Sequence, residues 1–345
     1  MRGFMMFSSR SLHSRKRKGI ALASSVLAGA LVLPLSGCGT LAADAKDKYP
    51  TKSIDYVIPF EAGGTTDLLG RQVGDSLADE IGSKVVYDNV AGSGGALGTE
   101  QAVTADPDGY TLGMSAVSTM TVAPLQNSKL SYQKPEDYTV FGRLPIQPMV
   151  LAVKADAPWD TMSEFVEDAR KNPGKLSISN SGTYATPGLA SYATERAADV
   201  EFNIVPYAGG GADARNAVLG GDADATIAGG PLFKGFVDSG DMKILGVYFD
   251  GEYPLYPDAP SAFDEGVEWE AVAEFILVGP PGLPEEVTNT VSDNLESAIT
   301  TEKFENEVDK LGFIADYADP AETERIIKDA QGTNAELVDY VESRQ

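Results

Sequence analysis

Three features of the sequence predict an α/β fold made of two units that face each other across a cleft. Short apolar runs alternate with stretches of helical spacing through most of the chain, the rhythm of parallel strands covered by helices. The run at 54–58 leads into Pro59-Phe60-Glu61-Ala62-Gly63-Gly64-Thr65-Thr66-Asp67, where two glycines and three oxygen-bearing side chains stand at the start of a helix. A like stretch returns as Pro206-Tyr207-Ala208-Gly209-Gly210-Gly211-Ala212-Asp213, after a strand at 202–205 and before a helix that ends at Leu219. Both share a proline, an aromatic residue, a glycine run and an aspartate. Two such loops, one per unit, make the walls of a cleft.

Each element follows from its residues. The first unit begins with Ile54-Asp55-Tyr56-Val57-Ile58, a β-branched and aromatic run that suits a strand. A helix over 67–80 follows, with Leu69, Val73 and Leu77 four residues apart. Strand 84–87, helix 95–104 and strand 111–115 continue the alternation, and Asp106-Pro107-Asp108-Gly109-Tyr110 has the chemistry of a turn. The second unit opens with a buried-strand candidate at 150–153. It continues through helix 161–171, strand 175–179, helix 187–198, strand 202–205, helix 212–219 and strands 223–227 and 242–247. Residues 251–269 are rich in Pro, Gly and acidic side chains and read as irregular. Strand 275–278, the turn Pro280-Pro281-Gly282-Leu283-Pro284 and helices at 285–299, 303–311 and 320–342 close the chain, and these helices are expected back against the first unit. Trp159 and Trp269 flank the segments where the chain is expected to cross, with packing at a hinge as their role. The expected lobes are 49–152 with 272–345, and 153–271.

Residues 1–37 stand apart. Arg15-Lys16-Arg17-Lys18 precede an apolar segment at 20–35, which ends in Leu35-Ser36-Gly37-Cys38. These are the parts of an export signal, and the segment is shorter than the roughly 20 residues of a spanning helix. Leu35 to Cys38 is similar to a bacterial lipobox, which implies cleavage before Cys38, lipidation of that cysteine and a polar tether over 38–48. An ordinary signal peptide cut after Ala43-Asp44-Ala45 is the alternative.

Cys38 is the only cysteine, and His13, inside the signal, is the only histidine. The exported chain therefore lacks the residues for Cys/His zinc sites, Ser-His-Asp hydrolysis and thiol catalysis. An enzyme is not expected, nor a cofactor or a metal. Residues 1–37 hold six of the 27 Lys and Arg and none of the 51 Asp and Glu, so the exported chain carries 21 cations against 51 anions, a formal charge of −30. That balance disfavours nucleic acid as a partner. An anionic ligand stays open, because surface charge is screened beyond about 8 Å at physiological salt while N–H groups in a cleft act at contact. Solubility outside the cell accounts for the acidity without reference to any ligand.

The chemistry rests in the strand-to-helix junctions. Glycine lets backbone approach a ligand closely, and the first turn of a helix carries unpaired N–H groups and roughly +0.5 of an elementary charge. Gly63, Gly64, Thr65, Thr66 and Asp67 therefore suit a carboxylate or phosphate, with a capped tight turn as the plain alternative. Ala91-Gly92-Ser93-Gly94-Gly95-Ala96-Leu97-Gly98 has the look of a dinucleotide fingerprint, but its third glycine falls one place late, at Gly98. No strand ending in Asp or Glu follows about 20 residues on. Ser93 and Gly94 at a helix start fit a small anion better. In the second unit, Ser181, Thr183, Tyr184 and Thr186 offer neutral donors ahead of a helix with Pro187 in its first turn, and helix capping is again the alternative. Tyr207 joins them from the returning stretch. None of these loops carries Lys or Arg.

The order of these motifs resembles one family. Tyr49-Pro50, the stretch Pro59 to Asp67 with Arg71, Gly92-Ser93-Gly94-Gly95 with Gly98, and Pro107-Asp108-Gly109-Tyr110-Thr111-Leu112 carry the resemblance in the first unit. Asn172-Pro173-Gly174-Lys175-Leu176 with Ser181-Gly182, Val205-Pro206-Tyr207 with Gly220-Gly221, and Pro280 through Pro284 carry it further. Together they are similar to the extracytoplasmic substrate-binding proteins of tripartite tricarboxylate transporters. The resemblance implies a two-lobed "Venus flytrap" of the type II periplasmic binding fold, which captures a small carboxylate and hands it to a membrane permease. It also implies that Gly63 to Asp67 form the main carboxylate cradle and Ser181 to Thr186 the opposing loop. Four positions depart from the family pattern: Gly188 replaces a frequent His, Tyr184-Ala185 a Gly-Ser, Glu274 a Trp, and Val90 a basic residue. A Glu274 that reaches the cleft would disfavour a third carboxylate on the ligand.

The function expected is a monomeric, lipid-anchored receptor at the outer face of the cytoplasmic membrane or in the periplasm. A binding protein that reports to a signalling partner, and a nucleotide-using α/β enzyme, are the rival readings.

Overall fold

Ile54, Tyr56, Val57 and Ile58 are fully buried, as befits the central strand of a parallel trio, β1 (Ile54–Ile58). The computed structural model describes residues 48–207, 210–267 and 269–344, so the expected signal peptide, Cys38 and most of the tether lie outside the described residues. From β1 the chain runs through α1 (Thr65–Ile81), β2 (Val85–Asn89), α2 (Ala96–Val103) and β3 (Thr111–Ala116). Both β2 and β3 pair with β1 in parallel, so the loops that follow all three strands open at one edge of the sheet. α3 (Val117–Gln126) leaves β3 directly, where the sequence reading has no helix. Val117, Thr119, Thr121 and Val122 are β-branched and Pro124 lies inside it, so local preference is poor. Burial of Val117, Met120 and Val122 overrides it.

β4 (Thr139–Lys154) is much longer than the strand expected at 150–153. It contains Pro145 and Pro148, which lack ladder donors, and the register shifts between Val140 and Gly142 and again between Arg143 and Ile146. Bulges thus admit residues that read as irregular. The chain then forms α4 (Met162–Lys171), β5 (Ser177–Asn180), α5 (Thr186–Ala198), β6 (Asn203–Pro206), α6 (Gly211–Gly220) and β7 (Ala225–Gly229). After them come the short α7 (Lys234–Asp238), β8 (Met242–Val247) and β9 (Val272–Gly279), then α8 (Glu285–Ile299), α9 (Glu302–Lys310) and α10 (Pro320–Arg344).

The strand order is β2-β1-β3-β9-β4-β7-β5-β6, with β8 beside β4. β5 is parallel to both β6 and β7, which gives a second edge where strands run into helices. β4 and β9 are antiparallel neighbours, and β4 passes from β9 at one end to β7 and β8 at the other. One core gathers Ile54, Tyr56, Leu69, Phe141, Phe275 and Leu295; a second gathers Leu151, Phe165, Ile178, Ile227 and Tyr248. Trp159 belongs to the second core and not to a hinge: it meets Phe165 edge-on at 5.0 Å and donates to Asp168 at 2.9 Å. Trp269, half-buried, packs near both the second core and the α5–α10 seam, with Arg196 over its ring.

α8 and α9 lie against α1, as expected. α10 does not stay with the first unit. Its start lies on α3 and β4, but Leu337, Val338 and Val341 pack with Leu189, Tyr192 and Ala193 of α5. Arg344 and Tyr340 both donate to the buried Glu195 carboxylate, each at 2.9 Å. Helical spacing shows that a face is apolar, but not which unit it covers. Among the described residues, no helix is long and apolar enough to cross a membrane.

Candidate functional site

The first junction is built on one carboxylate. Gly63 adopts φ 86°, a left-handed turn that glycine makes without strain, and this brings its N–H onto Asp67 Oδ2 at 2.8 Å. Asp67 is only 3% exposed. It also accepts from Arg71 Nε at 3.0 and 3.1 Å and from Asn89 Nδ2 at 2.8 Å. Asn89 then donates to Phe60 O at 3.0 Å and accepts from Arg71 Nη2 at 2.9 Å. Burial pushes the Asp67 pKa upward, but the donors on Arg71, Gly63 and Asn89 outweigh it and hold the carboxyl below its ordinary value. Asp67 is thus the frame of the loop, and its oxygens are engaged within the protein. Gly63 and Gly64 are exposed and Thr65 and Thr66 half-exposed. α1 starts at Gly64 without a side-chain cap, so its first N–H groups keep no side-chain acceptor.

Beside it, Ser93 and Gly94 are exposed, and Thr119 Oγ1 donates to Gly94 O at 2.8 Å. α2 likewise lacks a side-chain cap. The late glycine of this segment has a packing role: a Cβ on Gly98 would stand 2.7 Å from Pro59 Cα and 2.8 Å from Val90 O. Gly98 therefore lets α2 press against β1.

At the second edge, Gly182 N–H donates to Asn180 Oδ1 at 3.0 Å, and Tyr207 N–H to Asn180 O at 2.8 Å. Ser181, Thr183 and Thr186 are half-exposed, and α5 begins at Ala185 without a side-chain cap. Tyr184 leans on the apolar seam of α3, α5 and α10, while Tyr207 packs on a cluster with Leu219 and Leu232. Ala208 and Gly209 lie outside the described residues, and α6 begins after them at Gly210, again without a side-chain cap. Thr186 Oγ1 donates to Ser118 Oγ at 3.2 Å, which joins the start of α5 to the start of α3 and brings the two edges into contact.

Ser118, Thr119, Arg71 and Asn89 escape the sequence reading as members of this site. Ser118-Thr119 repeats the pattern of a strand followed by hydroxyls, without a glycine to mark it. Where β4 and β9 pass between the edges, Phe60 meets Phe275 edge-on at 6.3 Å. Glu274, half-buried on β9, accepts from Arg143 Nη1 at 3.1 Å, and Asp316 lies 2.6 Å from Arg143 Nη2. Burial first, and Asp316 next, raise the Glu274 pKa against the lowering pull of Arg143. No cluster of acidic side chains able to hold a metal occurs among the described residues. An open groove lined by Thr104, Pro107, Ser131, Asp137 and Pro280 sits at the other end of β3, away from these loops.

A family model described as "Tripartite tricarboxylate transporter family receptor" matches residues 69–342. The chain belongs to this receptor family. A UPF0065 protein of Cupriavidus necator, from the gbd 5' region, is 27% identical over 300 residues, which cover 87% of this chain and 88% of that one. BugT of Bordetella pertussis is 24% identical over 297 residues, 86% of this chain and 91% of its own. Among solved structures, the periplasmic binding protein BugD is similar with a TM-score of 0.73 and 27% identity, over 85% of this chain and 98% of its own. The receptor thus has the two-lobed fold of the periplasmic binding proteins, as its motifs imply.

Proposed function

We propose that this receptor, held at the membrane by lipid on Cys38, captures a small carboxylate outside the cytoplasm and delivers it to a permease of the tripartite tricarboxylate type. One observation carries the reading. Among the described residues five α-helices begin at glycine or alanine N-caps, at Gly64, Gly95, Ala116, Ala185 and Gly210, and none has a side chain closing its first turn. Helix starts left open at strand ends are suited to an anion, and the absence of Lys and Arg from the loops favours a small carboxylate over a polyphosphate.

In this reading Gly63, Gly64, Thr65, Thr66, Ser93 and Gly94 hold the carboxylate from lobe 49–152 with 272–345. Ser181, Thr183 and Thr186 approach it from lobe 153–271, while Asp67, Tyr184 and Tyr207 shape the loops. A ligand that touches both lobes binds the closed form more tightly, and that difference drives closure. The protein acts as a monomer, with family membership supporting the permease as partner.

A thermal-shift screen of the exported protein against mono-, di- and tricarboxylates, amino acids and nucleotides tests this. A carboxylate at 100 times its dissociation constant should add about 2.7 kcal/mol of stability. Shifts with nucleotides alone would sink the receptor reading. Cys38→Ala should move the protein from the membrane to the soluble fraction; retention there would refute the lipid anchor.

A further inference from the structure

Gln147 stands where β4 passes between the two sheets. It lies opposite Ala273 of β9, two residues from the Ala116–Phe275 pair that marks the end of β3. On the other side Met149 pairs with Gly229, the last residue of β7. Gln147 is therefore between the two strand edges that carry the candidate loops. Phe60, from the first of those loops, packs edge-on against Phe275 on the same strand as Ala273.

Gln147 is 7% exposed, and its Nε2 has no hydrogen-bond partner among the described residues. Room for the amide is kept by Gly229, since a Cβ there would stand 2.3 Å from Oε1. Buried amides are nearly always paired, so an enclosed one left open, with a glycine cleared beside it, marks a place where another molecule completes the bonding. The supply of cations on these strands narrows the class of molecule. Arg143, on the same strand, is already matched by Glu274 and Asp316, two carboxylates on one guanidinium. Glu270 lies near Glu274, and burial followed by that neighbour raises its pKa. A second carboxylate enclosed beside Gln147 would thus find no free cation on these strands to pair it, since Arg143 and its carboxylate partner Glu274 belong to the opposite face of the β4–β9 pair.

Resting on the receptor reading above, we infer that Gln147 selects the far end of the ligand. The receptor takes a monocarboxylate whose other pole is an uncharged hydrogen-bonding group, such as a hydroxyl, carbonyl or carboxamide. The carboxylate lies on the open helix starts, and the neutral pole lies against the amide. Gln147 discriminates by a single hydrogen bond, and the lack of a free cation beside it discriminates against a second charge.

The test is calorimetric titration of the exported protein with four- to six-carbon acids that end in a carboxylate, a carboxamide, a hydroxyl, an ammonium or a methyl group. At the best-fitting length, the carboxamide or hydroxyl acid should bind at least tenfold more tightly than the dicarboxylate. Gln147→Leu should cost that acid about tenfold, the worth of one hydrogen bond, and leave the methyl-ended acid unchanged. The melting temperature of the unliganded Leu variant should stay or rise, because an unpaired amide leaves the interior. A fall in melting temperature would make the amide structural and overturn the inference. Preference for the dicarboxylate or ammonium acid, or indifference to Gln147→Leu, also overturns it while the receptor reading survives. If wild-type protein binds none of these acids or the screen's other carboxylates, both fall together.

Discussion

The loops that lead into α1 and α5, one at each strand edge, are framed by opposite chemistry. In the first, the Asp67 carboxylate gathers Gly63 N–H, the Arg71 guanidinium and the Asn89 amide. In the second, a neutral amide takes the central place: Asn180 Oδ1 holds Gly182 N–H, and Nδ2 reaches Ser191 Oγ only at 3.4 Å. Charge-assisted bonds are roughly twice as strong as neutral ones, so the first loop is a fixed cradle and the second a softer wall. The contrast also shows where the cation went. Arg71 is engaged by Asp67 and Asn89, so the loops themselves offer a ligand N–H groups and hydroxyls.

The largest effect should come from Asp67→Ala. It removes the acceptor shared by Gly63, Arg71 and Asn89 and leaves Arg71 without its carboxylate. Removing one partner of a fully buried pair costs 3–5 kcal/mol, but Arg71 is 38% exposed, so a loss of about 2 kcal/mol is expected. Urea unfolding measures it, and carboxylate affinity should fall more than tenfold. Asn180→Ala should cost about 1 kcal/mol and a few-fold in affinity, since only neutral bonds go. Equal losses from the two variants would erase the contrast between the loops.

Much of this contrast was legible in the residues. The Gly-Gly-Thr-Thr-Asp and Ser-Gly-Thr-Tyr-Ala-Thr runs mark the junctions through turn chemistry, which acts over a few positions and leaves a local trace. Asn89 left no such trace, because it meets Asp67 from 22 residues away and only the β1–β2 pairing brings them together, whereas Arg71, quoted with the motif, stands one helical turn after Asp67. α3 was hidden by β-branched residues whose burial outweighs their propensity. The start of β4 was hidden by prolines that its bulges accommodate, and the reach of α10 to α5 by an apolar face that names no partner.

Acid should separate the first loop from the strands beneath it. The Asp67 pKa is depressed, so its contribution is present above the unfolded value of about 3.9 and is lost only as pH falls through the lower folded value. The pKa values of Glu270 and Glu274 are raised, burial being the largest cause in each. Their charged forms therefore cost stability near neutrality, and that cost is relieved as pH falls through the folded values toward the ordinary one. Wild-type melting temperature should rise on mild acidification and fall once the pH drops below the unfolded carboxylate value of about 3.9 toward the lower folded value at which the Asp67 frame protonates. Glu274→Gln should flatten the rise and leave the acid limb in place. An unchanged rise would remove Glu274 from the account.

The smallest effect falls on the contact that joins the loops. Thr186 Oγ1 reaches Ser118 Oγ at 3.2 Å, a neutral bond between half-buried and solvent-accessible groups, worth about 0.5–1 kcal/mol at most. Thr186→Val keeps the size and branching of the side chain but removes the donor, and Thr186 is not part of either frame around Asp67 or Asn180. Its loss should leave each lobe intact and act on the equilibrium between open and closed forms. An energy of 0.5–1 kcal/mol shifts that equilibrium about two- to fivefold toward the open form, and ligand affinity falls by no more than the same factor because closure must then be driven by the ligand. Small-angle scattering of the unliganded variant should show a larger radius of gyration, with saturating ligand restoring the wild-type value. If scattering is unchanged while affinity drops more than tenfold, Thr186 acts only as the ligand contact proposed above and not also as a clasp, and the second loop carries more of the recognition than its neutral frame implies.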